Sequence, residues 1–373
     1  MSTQDSGKDF LYERAAFYYN HILNSVDGEY AVNYLKHRGI TLRVANNFML
    51  GATPPCNGKK HSNALALELV RLMDTEQVLA SRLISSSIDE QNKIIDIYDY
   101  FSNGRIITPI FSKGNPIYFT SRLTFNGNLP HKHINSSHPM SNIFNQDILS
   151  NDNTEIYLTE GIFDALSLAM INKNAIATLG TRGVSIGQRE LFTRKFCKYV
   201  FVFDNDENKS GQHAVTKTAS ILKSFGIDQL YQIILPRKQS SSKTDINQLL
   251  CQCLHSDHTL KDFSIFFDNL ERLPLVVDTY QPPIKTDYKY TSNTEIMKVI
   301  SDYVTLSRIS PTSYKGVCPF KSHEDTNPSF VVYTTTNTFK CFGCGKYGGP
   351  VTFLMEFLNL SKEEAINKVK QYK

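Results

Sequence analysis

The chain has 373 residues, 41% of them hydrophobic and 20% charged, which is enough for two or three folded domains and excludes an intrinsically disordered protein. Its net charge of +4 does not by itself indicate nucleic-acid binding, which would need a local basic patch. No apolar run reaches the about 18 residues of a membrane span and residues 1–9 lack a signal-peptide core, so we expect a cytoplasmic protein.

Helices are the first predicted elements, between residues 10 and 50. Two apolar stripes with helical spacing occur there, the first interrupted at Gly28 and the second stopped at Gly39. Arg38 lies in the last turn of the second helix. Its cation would either stabilise the helix C-terminus or hold a phosphate, and the spacing leaves both interpretations open.

A helical segment and then β-strands follow. The pattern predicts a helix over residues 61–83 and strands over residues 94–100, 105–111 and 116–123. Gly-containing turns separate these three strands from one another. A polar loop rich in histidine comes next, at 126–139. Arg105, Arg122 and Lys132 could line a nucleic-acid groove, or they could be scattered surface cations.

Strands and helices alternate from residue 155 to residue 250. Apolar β-runs occur at 156–158, 175–179, 199–203 and 230–235, and helical segments at 165–170, 187–196 and 211–225. This alternation is typical of βαβ units and predicts a parallel sheet.

Acidic side chains follow these strands at the edge where a parallel sheet binds ligands. Glu160 and Asp164 come after the first strand, Asp204 and Asp206 after the third, and Asp245 after the fourth. Carboxylates are hard oxygen ligands suited to Mg²⁺. Helix capping is the alternative, but it would explain one carboxylate rather than two separate acidic sites at one edge.

Cys318, His323, Cys341 and Cys344 form the pattern C-x4-H-x17-C-x2-C near the C-terminus. Thiolates and imidazole favour tetrahedral Zn²⁺, and four protein ligands leave no open position, so we predict one structural zinc ion. A hairpin over 330–340 and a helix over 351–358 should surround it. Such a small unit would depend on the metal for much of its stability.

These motifs resemble those of a known family. Residues 160–164, 204–206 and 245–247 resemble the acidic signature of a TOPRIM domain. Several earlier segments resemble the N-terminal part of the RNA polymerase core of DnaG-type bacterial primases, and residues 314–357 resemble the primase zinc-binding domain; the earlier segments are 34–39, 48–51, 104–110, 121–122 and 132–136.

The resemblance implies an α/β fold in which a TOPRIM parallel sheet has an α+β N-terminal subdomain and a small C-terminal zinc ribbon. The expected boundaries are 1–150 for the N-terminal subdomain, 151–270 for the TOPRIM domain, 271–292 for a proline-containing linker and 293–373 for the zinc domain.

The resemblance also implies synthesis of short RNA primers on a single-stranded DNA template from nucleoside triphosphates. Glu160, Asp204, Asp206 and Asp245 would hold Mg²⁺ or Mn²⁺, and Asp164 would support them. The cations at positions 38, 122 and 132 would contact phosphates, and the zinc domain would bind the template. A separately encoded helicase is an expected partner, and the nucleoid the expected location.

The chain departs from the family pattern in several respects. The zinc domain follows the core instead of preceding it, and Cys318 and His323 are further apart than usual, with Lys321 at the expected histidine position. Asn247 replaces a second carboxylate, and Gln146 stands where the family usually has lysine. No helicase-binding segment is recognisable, which makes a phage, plasmid or other mobile element a plausible source.

Two other functions are compatible with these motifs. One is a TOPRIM nuclease, although the primase-like N-terminal segments and the lack of an obvious tyrosine-centred cleavage motif argue against it. The other is a non-catalytic protein that binds single-stranded DNA. Retention of Glu160, Asp204 and Asp206 argues against that reading, whereas Asn247 and Gln146 leave it open.

Overall fold

The structure, a computed structural model, describes residues 3–54, 61–89, 91, 93–125, 133–136, 143–180, 183–194, 196–237, 242–280, 295–320, 325 and 328–372. The chain forms two compact units, Met1–Tyr280 and Gln281–Lys373. Within the described ranges, no helix combines the length and apolarity needed to cross a bilayer.

The first unit contains both helices and sheets. Its helices are α1 Thr3–Leu23, α2 Glu29–His37, α3 Leu42–Asn47, α4 Ala64–Leu72, α5 Thr75–Ala80, α6 Ile162–Met170, α7 Ser210–Ser224, α8 Ile246–His255 and α9 Leu260–Asp268. Its strands are β1 Gly51–Ala52, β2 Ile84–Ile88, β3 Ile94–Asp99, β4 Arg105–Ser112, β5 Asn115–Leu123, β6 His133–Asn135, β7 Glu155–Thr159, β8 Ala175–Ala177, β9 Lys198–Val202, β10 Asn205–Asp206, β11 Leu230–Gln232, β12 Lys243–Thr244 and β13 Leu273–Pro274.

The N-terminal half of this unit is built on an antiparallel sheet in the order β1-β4-β5-β6. Helix α1 packs on it through Leu11, Tyr12 and Tyr19, which share one core cluster with Phe119 of β5. The predicted strands are confirmed, but the predicted helix over 61–83 is two shorter helices, α4 and α5. Strand β2 was missed because its Ile-Ser-Ser-Ser-Ile sequence has no strong pattern, and its pairing with β3 establishes it as a strand.

The second half has a five-stranded sheet in the order β13-β11-β9-β7-β8. Strands β11, β9, β7 and β8 run parallel to one another, as the βαβ pattern predicts. Along β9, Tyr199 and Phe201 face one core cluster and Val200 and Val202 face the other. Because the sheet is covered on both faces, these strands are continuously apolar rather than alternating.

Strand β13 corrects the start of the predicted linker. Leu273 and Pro274 pair with β11 in an antiparallel manner, and the Leu275 amide donates to the carbonyl of Leu230. Tyr280 also packs against the core of this half. Residues 273–280 therefore belong to the first unit, since an edge strand can use a proline that a central strand cannot.

In its described residues, the second unit is a small antiparallel sheet with three helices. Its strands follow the order β14-β15-β16-β17-β18 and are β14 Ser307–Ser310, β15 Ser313–Gly316, β16 Phe330–Tyr333, β17 Thr338–Cys341 and β18 Tyr347–Gly348. The helices are α10 Ile296–Ile300, α11 Pro350–Leu358 and α12 Lys362–Lys370. The predicted hairpin and closing helix are confirmed as β16–β17 and α11. Phe320, Phe330, Phe339 and Phe353 form its aromatic core.

Candidate functional site

The acidic side chains of the first unit meet where neighbouring parallel strands end. Strands β7 and β9 pair in parallel with Thr159 beside Val202, so the residues that follow them emerge at the same edge. Glu160 comes immediately after β7, and Asp204 comes two residues after β9. Both line one cleft of about 430 Å³.

Two further carboxylates reach this cleft from helix starts. Asp164 lies in the first turn of α6, and Asp245 is the N-cap of α8, where it accepts a 2.7 Å hydrogen bond from the Gln248 amide. Carboxylate oxygens of Asp164, Asp204 and Asp245 lie within 4.8 Å of one another. Gly161 is needed beside them, because a Cβ at that position would lie 2.6 Å from an Asp164 oxygen.

Crowding and burial make these acids difficult to ionise together. Burial and the neighbouring Asp204 raise the pKa of Glu160 to about 7. Burial, with Asp245 and Asp204 nearby, raises the pKa of Asp164 well above its usual value. The Glu160 Oε2 atom is buried without a hydrogen-bond partner among the described residues. A divalent cation would relieve both the repulsion and this unpaired oxygen, so the donor set fits Mg²⁺ or Mn²⁺.

Lys243 is a cleft residue that the sequence reasoning missed. It forms an ion pair with Asp204 and lines the same cleft. Burial, together with the nearby Asp245 and Asp206, nevertheless raises the pKa of Asp204 overall, although the Lys243 ammonium lowers it. Lys243 reaches this place because β12 pairs with β10, which follows Asp204 directly. Its sequence position, at the end of a polar loop, carries no signal of that pairing.

Two arginines add positive charge to the cleft. Arg38 is the C-cap of α2 and Arg122 lies on β5, so both come from the N-terminal half of the unit. Their guanidinium carbons lie 5.0 and 5.3 Å from the centre of the Phe163 ring. The Nε atoms of both are buried and have no hydrogen-bond partner in the described parts of the chain. His133 and Asn135 of β6 also line the cleft and were not singled out from the sequence.

Two of the predicted site residues that the structure describes do not join this group. The Asp206 carboxylate accepts hydrogen bonds from the amide, at 2.9 Å, and the hydroxyl of Ser210, so it caps the start of α7. Arg105 is 3% exposed and donates to Ser121 within the N-terminal sheet; it does not line the cleft, as a nucleic-acid contact would. Lys132 lies outside the described residues.

Asn247 and Gln146, the two departures near the predicted site, are both buried. Asn247 is fully buried, and its Nδ2 donates to the Arg38 carbonyl and to Ser167 Oγ, each at 2.8 Å. Its amide donates to Asp164 Oδ1 at 3.0 Å. Asn247 thus connects the Asp164 carboxylate to the backbone carbonyl of Arg38. Gln146 is 5% exposed and lies in a 3₁₀ turn away from the cleft lining.

The thiols of the second unit form a separate cluster. The sulfur atoms of Cys318, Cys341 and Cys344 lie within 4.8 Å of one another. Burial acts to raise the pKa of the Cys341 thiol, but hydrogen bonds from Ser329 and the Cys344 amide lower it overall. A stabilised thiolate among three clustered sulfurs fits Zn²⁺. His323, the predicted fourth ligand, lies outside the described residues.

Asp325 braces this cluster and was not anticipated. Its Oδ2 accepts from the Cys318 amide at 2.6 Å and from the Ser329 amide at 3.0 Å. The Asp325 carboxylate therefore links the backbone of Cys318 to that of Ser329, whose side chain supports Cys341. Outer partners of this kind orient metal ligands.

Family models match three successive segments of the chain. Residues 18–149 match a DNA primase catalytic core, N-terminal domain; residues 157–250 match a Toprim-like domain; and residues 286–373 match a CHC2 zinc finger. The resemblance and the fold class inferred from the motifs are thereby confirmed. The zinc finger segment follows the catalytic segments along this chain.

Individual proteins agree with the family models. A DNA primase of Thermotoga maritima is 43% identical over 75 residues, which cover 20% of this chain and 13% of that protein's own length. The DnaG primase catalytic domain bound to ssDNA is 19% identical with a TM-score of 0.56, covering 73% of this chain and 81% of that structure. A DNA primase domain from Pseudomonas aeruginosa is 25% identical with a TM-score of 0.54, covering 72% and 79%.

Proposed function

Since the chain is built from the segments of DnaG-type primases, with the zinc finger after the catalytic core, we propose that it is a DNA primase, a DNA-directed RNA polymerase that makes short RNA primers on single-stranded DNA. One observation carries this proposal. A single cleft contains four carboxylates and two guanidiniums, contributed by two halves of one unit. Nucleotidyl transfer needs both: acids for divalent cations, and cations for phosphates.

The acidic side of the cleft has the task of holding cations. Glu160, Asp164, Asp204 and Asp245 would bind Mg²⁺ or Mn²⁺, which when bound stabilises negative charge on the attacking and leaving oxygens. Asp206 remains a proposed contributor, although its side chain caps α7. Lys243 balances part of the charge of Asp204 and so keeps the cluster from repelling a triphosphate.

The basic side of the cleft binds phosphates. Arg38 and Arg122 have planar guanidiniums that can form paired hydrogen bonds to phosphate oxygens. Neither has an ion-pair partner among the described residues, so their charge is available to a ligand. Lys132, by the family pattern, would extend this contact to the template or nucleotide.

The zinc finger is proposed to bind the template strand. Phe342 and Tyr347 are 54% and 50% exposed, and the Lys340 ammonium lies 5.3 Å from the centre of the Phe342 ring. Exposed rings next to a cation are suited to stacking on bases and contacting phosphates. Because the finger is tethered to the catalytic unit, a template bound by the finger has a raised local concentration at that unit.

The finer assignments are part of the same proposal. Nucleoside triphosphates and single-stranded DNA are the substrates, a separately encoded helicase is the recruiting partner, and the cytoplasmic nucleoid is the site of action. A phage, plasmid or other mobile element stays the proposed source.

The proposal is tested with single-stranded DNA, labelled ribonucleotides and Mg²⁺ or Mn²⁺. We expect short RNA products from the wild type and a loss of at least about 100-fold in Asp204→Ala, because a group that stabilises transition-state charge is removed. Asp228→Ala is the matched control, since Asp228 is exposed and precedes β11, at the opposite end of the strands. Cleavage of the DNA without synthesis would instead establish a TOPRIM nuclease, and binding without either reaction a non-catalytic DNA-binding protein.

A further inference from the structure

Phe163 has surroundings that the acidic signature does not explain. It stands on α6 between Glu160 and Asp164 and lines the cleft, yet its side chain is 7% exposed. An apolar residue there could serve the core alone, and Phe163 does belong to the core cluster shared by α2, α6 and α8. Its ring, however, contacts two cations as well.

The two arginines reach the ring from different elements. Arg38 ends α2 and Arg122 lies in the middle of a sheet, but their guanidinium carbons are 5.0 and 5.3 Å from the ring centre. Tyr34 meets the same ring edge to face, with 6.0 Å between centroids and 84° between planes. A cation within about 6 Å of a ring centroid is attracted by the quadrupole of the ring. Phe163 is therefore the shared contact of both guanidiniums.

The arginines lack the contacts that would otherwise hold them. Their Nε atoms are buried without a partner, and no ion pair or hydrogen bond of either guanidinium is found within the described ranges. Like charges repel each other, so a ring that attracts both guanidiniums offsets part of that repulsion while leaving their N–H groups for a ligand.

We propose that Phe163 is a positioning residue that holds Arg38 and Arg122 ready to bind one phosphate group of a nucleic-acid-type ligand. The inference rests on the proposed function and names the ligand chemistry of the same cleft. Two guanidiniums held by one ring next to a cation-binding acidic cluster match a phosphate that is also bound to a divalent cation. The phosphate comes from a nucleoside triphosphate or from the backbone of a polynucleotide.

The test compares Phe163→Leu, which keeps an apolar side chain, with Phe163→Tyr, which keeps the ring. Binding of ATP with Mg²⁺ is measured by calorimetry, and binding of a single-stranded oligodeoxynucleotide by fluorescence anisotropy. We expect Phe163→Leu to weaken one or both by about five- to thirty-fold, the loss for two cation–π contacts, and Phe163→Tyr to stay within about two-fold of the wild type. Weaker ATP binding alone identifies the triphosphate as the source, and weaker oligonucleotide binding alone the polynucleotide backbone.

Phe267→Leu is the matched control for stability. Phe267 is fully buried in the same core cluster, and its recorded ring contact is with Tyr157 rather than with a cation. It should lower the melting temperature without changing either affinity. If Phe163→Leu fails to fold, Phe163→Met is measured instead.

Unchanged affinities in Phe163→Leu, or equal losses in Phe163→Leu and Phe163→Tyr, would overturn the proposal and leave Phe163 a core residue. These binding measurements do not depend on primer synthesis. If the wild type binds ATP through Phe163 but makes no primer, the proposed function is wrong and this inference stands. If synthesis is observed, Phe163→Leu should raise the KM for ribonucleotides more than it lowers kcat.

Discussion

The cleft and the thiol cluster both gather metal ligands, but they differ in what holds those ligands in place. The cleft acids stand at the ends of β7 and β9 and the starts of α6 and α8, on a unit with three apolar core clusters. Cys318 and Cys341 are themselves members of the single core cluster of the second unit. In the first unit the fold creates the acidic cleft, whereas in the second we expect a zinc ion to complete the fold.

Removing zinc should have the largest effect and should separate the two regions. Chelation or Cys341→Ser is expected to unfold residues 295–372, because structural zinc contributes about 10–16 kcal/mol of apparent binding free energy in comparable small units. The first unit should keep its structure. Hydrogen exchange read by mass spectrometry distinguishes the units in one experiment.

Cys253→Ser is the control for that experiment, since Cys253 is half-buried in α8, within the first unit. It should leave zinc content unchanged. Retained protection of β16 and β17 after chelation would show that the second unit folds without metal, and the comparison would fail.

For the cleft, we expect cation binding to be revealed by the pH dependence of its Mg²⁺ affinity. Because the pKa of Glu160 is raised from 4.5 to about 7, its protonated form adds stability that is fully present below pH 4.5 and is lost as the pH rises through about 7. Protons and Mg²⁺ compete for the same oxygen. Mg²⁺ affinity should therefore rise about tenfold per pH unit up to pH 7 and then level off. Calorimetry across this range measures it.

Glu160→Gln should flatten that profile, since a neutral amide has no proton to lose. A profile just as steep in Glu160→Gln would assign the titration to another carboxylate of the cleft. Zinc content of the second unit should not change with this variant.

Asn247→Asp tests whether residue 247 belongs to the metal site or serves the stability of the fold. Asn247 donates from its side chain to the Arg38 carbonyl and to Ser167. A buried carboxylate could donate to neither, so we expect a loss of about 2–3 kcal/mol in the free energy of unfolding. Denaturant titration measures this. Asn172→Asp, at an exposed position, is the control.

Tighter Mg²⁺ binding in Asn247→Asp, without loss of stability, would contradict the structural role. It would restore the interpretation that Asn247 stands where a second metal-binding carboxylate is missing.

Ser329→Ala should have the smallest effect. Ser329 Oγ lies 3.3 Å from Cys341 Sγ and helps to lower the pKa of that thiol. Losing one such hydrogen bond should cost about 1 kcal/mol, or about five-fold in zinc affinity. Competition with a chromogenic chelator measures it, with the exposed Ser301→Ala as control. An unchanged affinity would mean that the three sulfurs need no support from Ser329.

Most of the elements and the chemistry of both regions can be predicted from the amino-acid sequence alone. Continuous apolar runs predicted β7 and β9, the carboxylates after them predicted an acidic sheet edge, and the spacing of Cys341 and Cys344 predicted a metal ligand pair. These features are local, because strand periodicity, strand ends and short ligand spacings are encoded within a few residues of one another.

Which side chains share the cleft depends on the tertiary fold. Asp164 joins Asp204 and Asp245, whereas Asp206, two residues after Asp204, caps α7 instead. Lys243 arrives through the pairing of β12 with β10. The ring of Phe163 likewise meets its two arginines only after distant segments have packed together. Side-chain direction and long-range pairing depend on the packing of whole elements, which the spacing of residues along the chain does not specify.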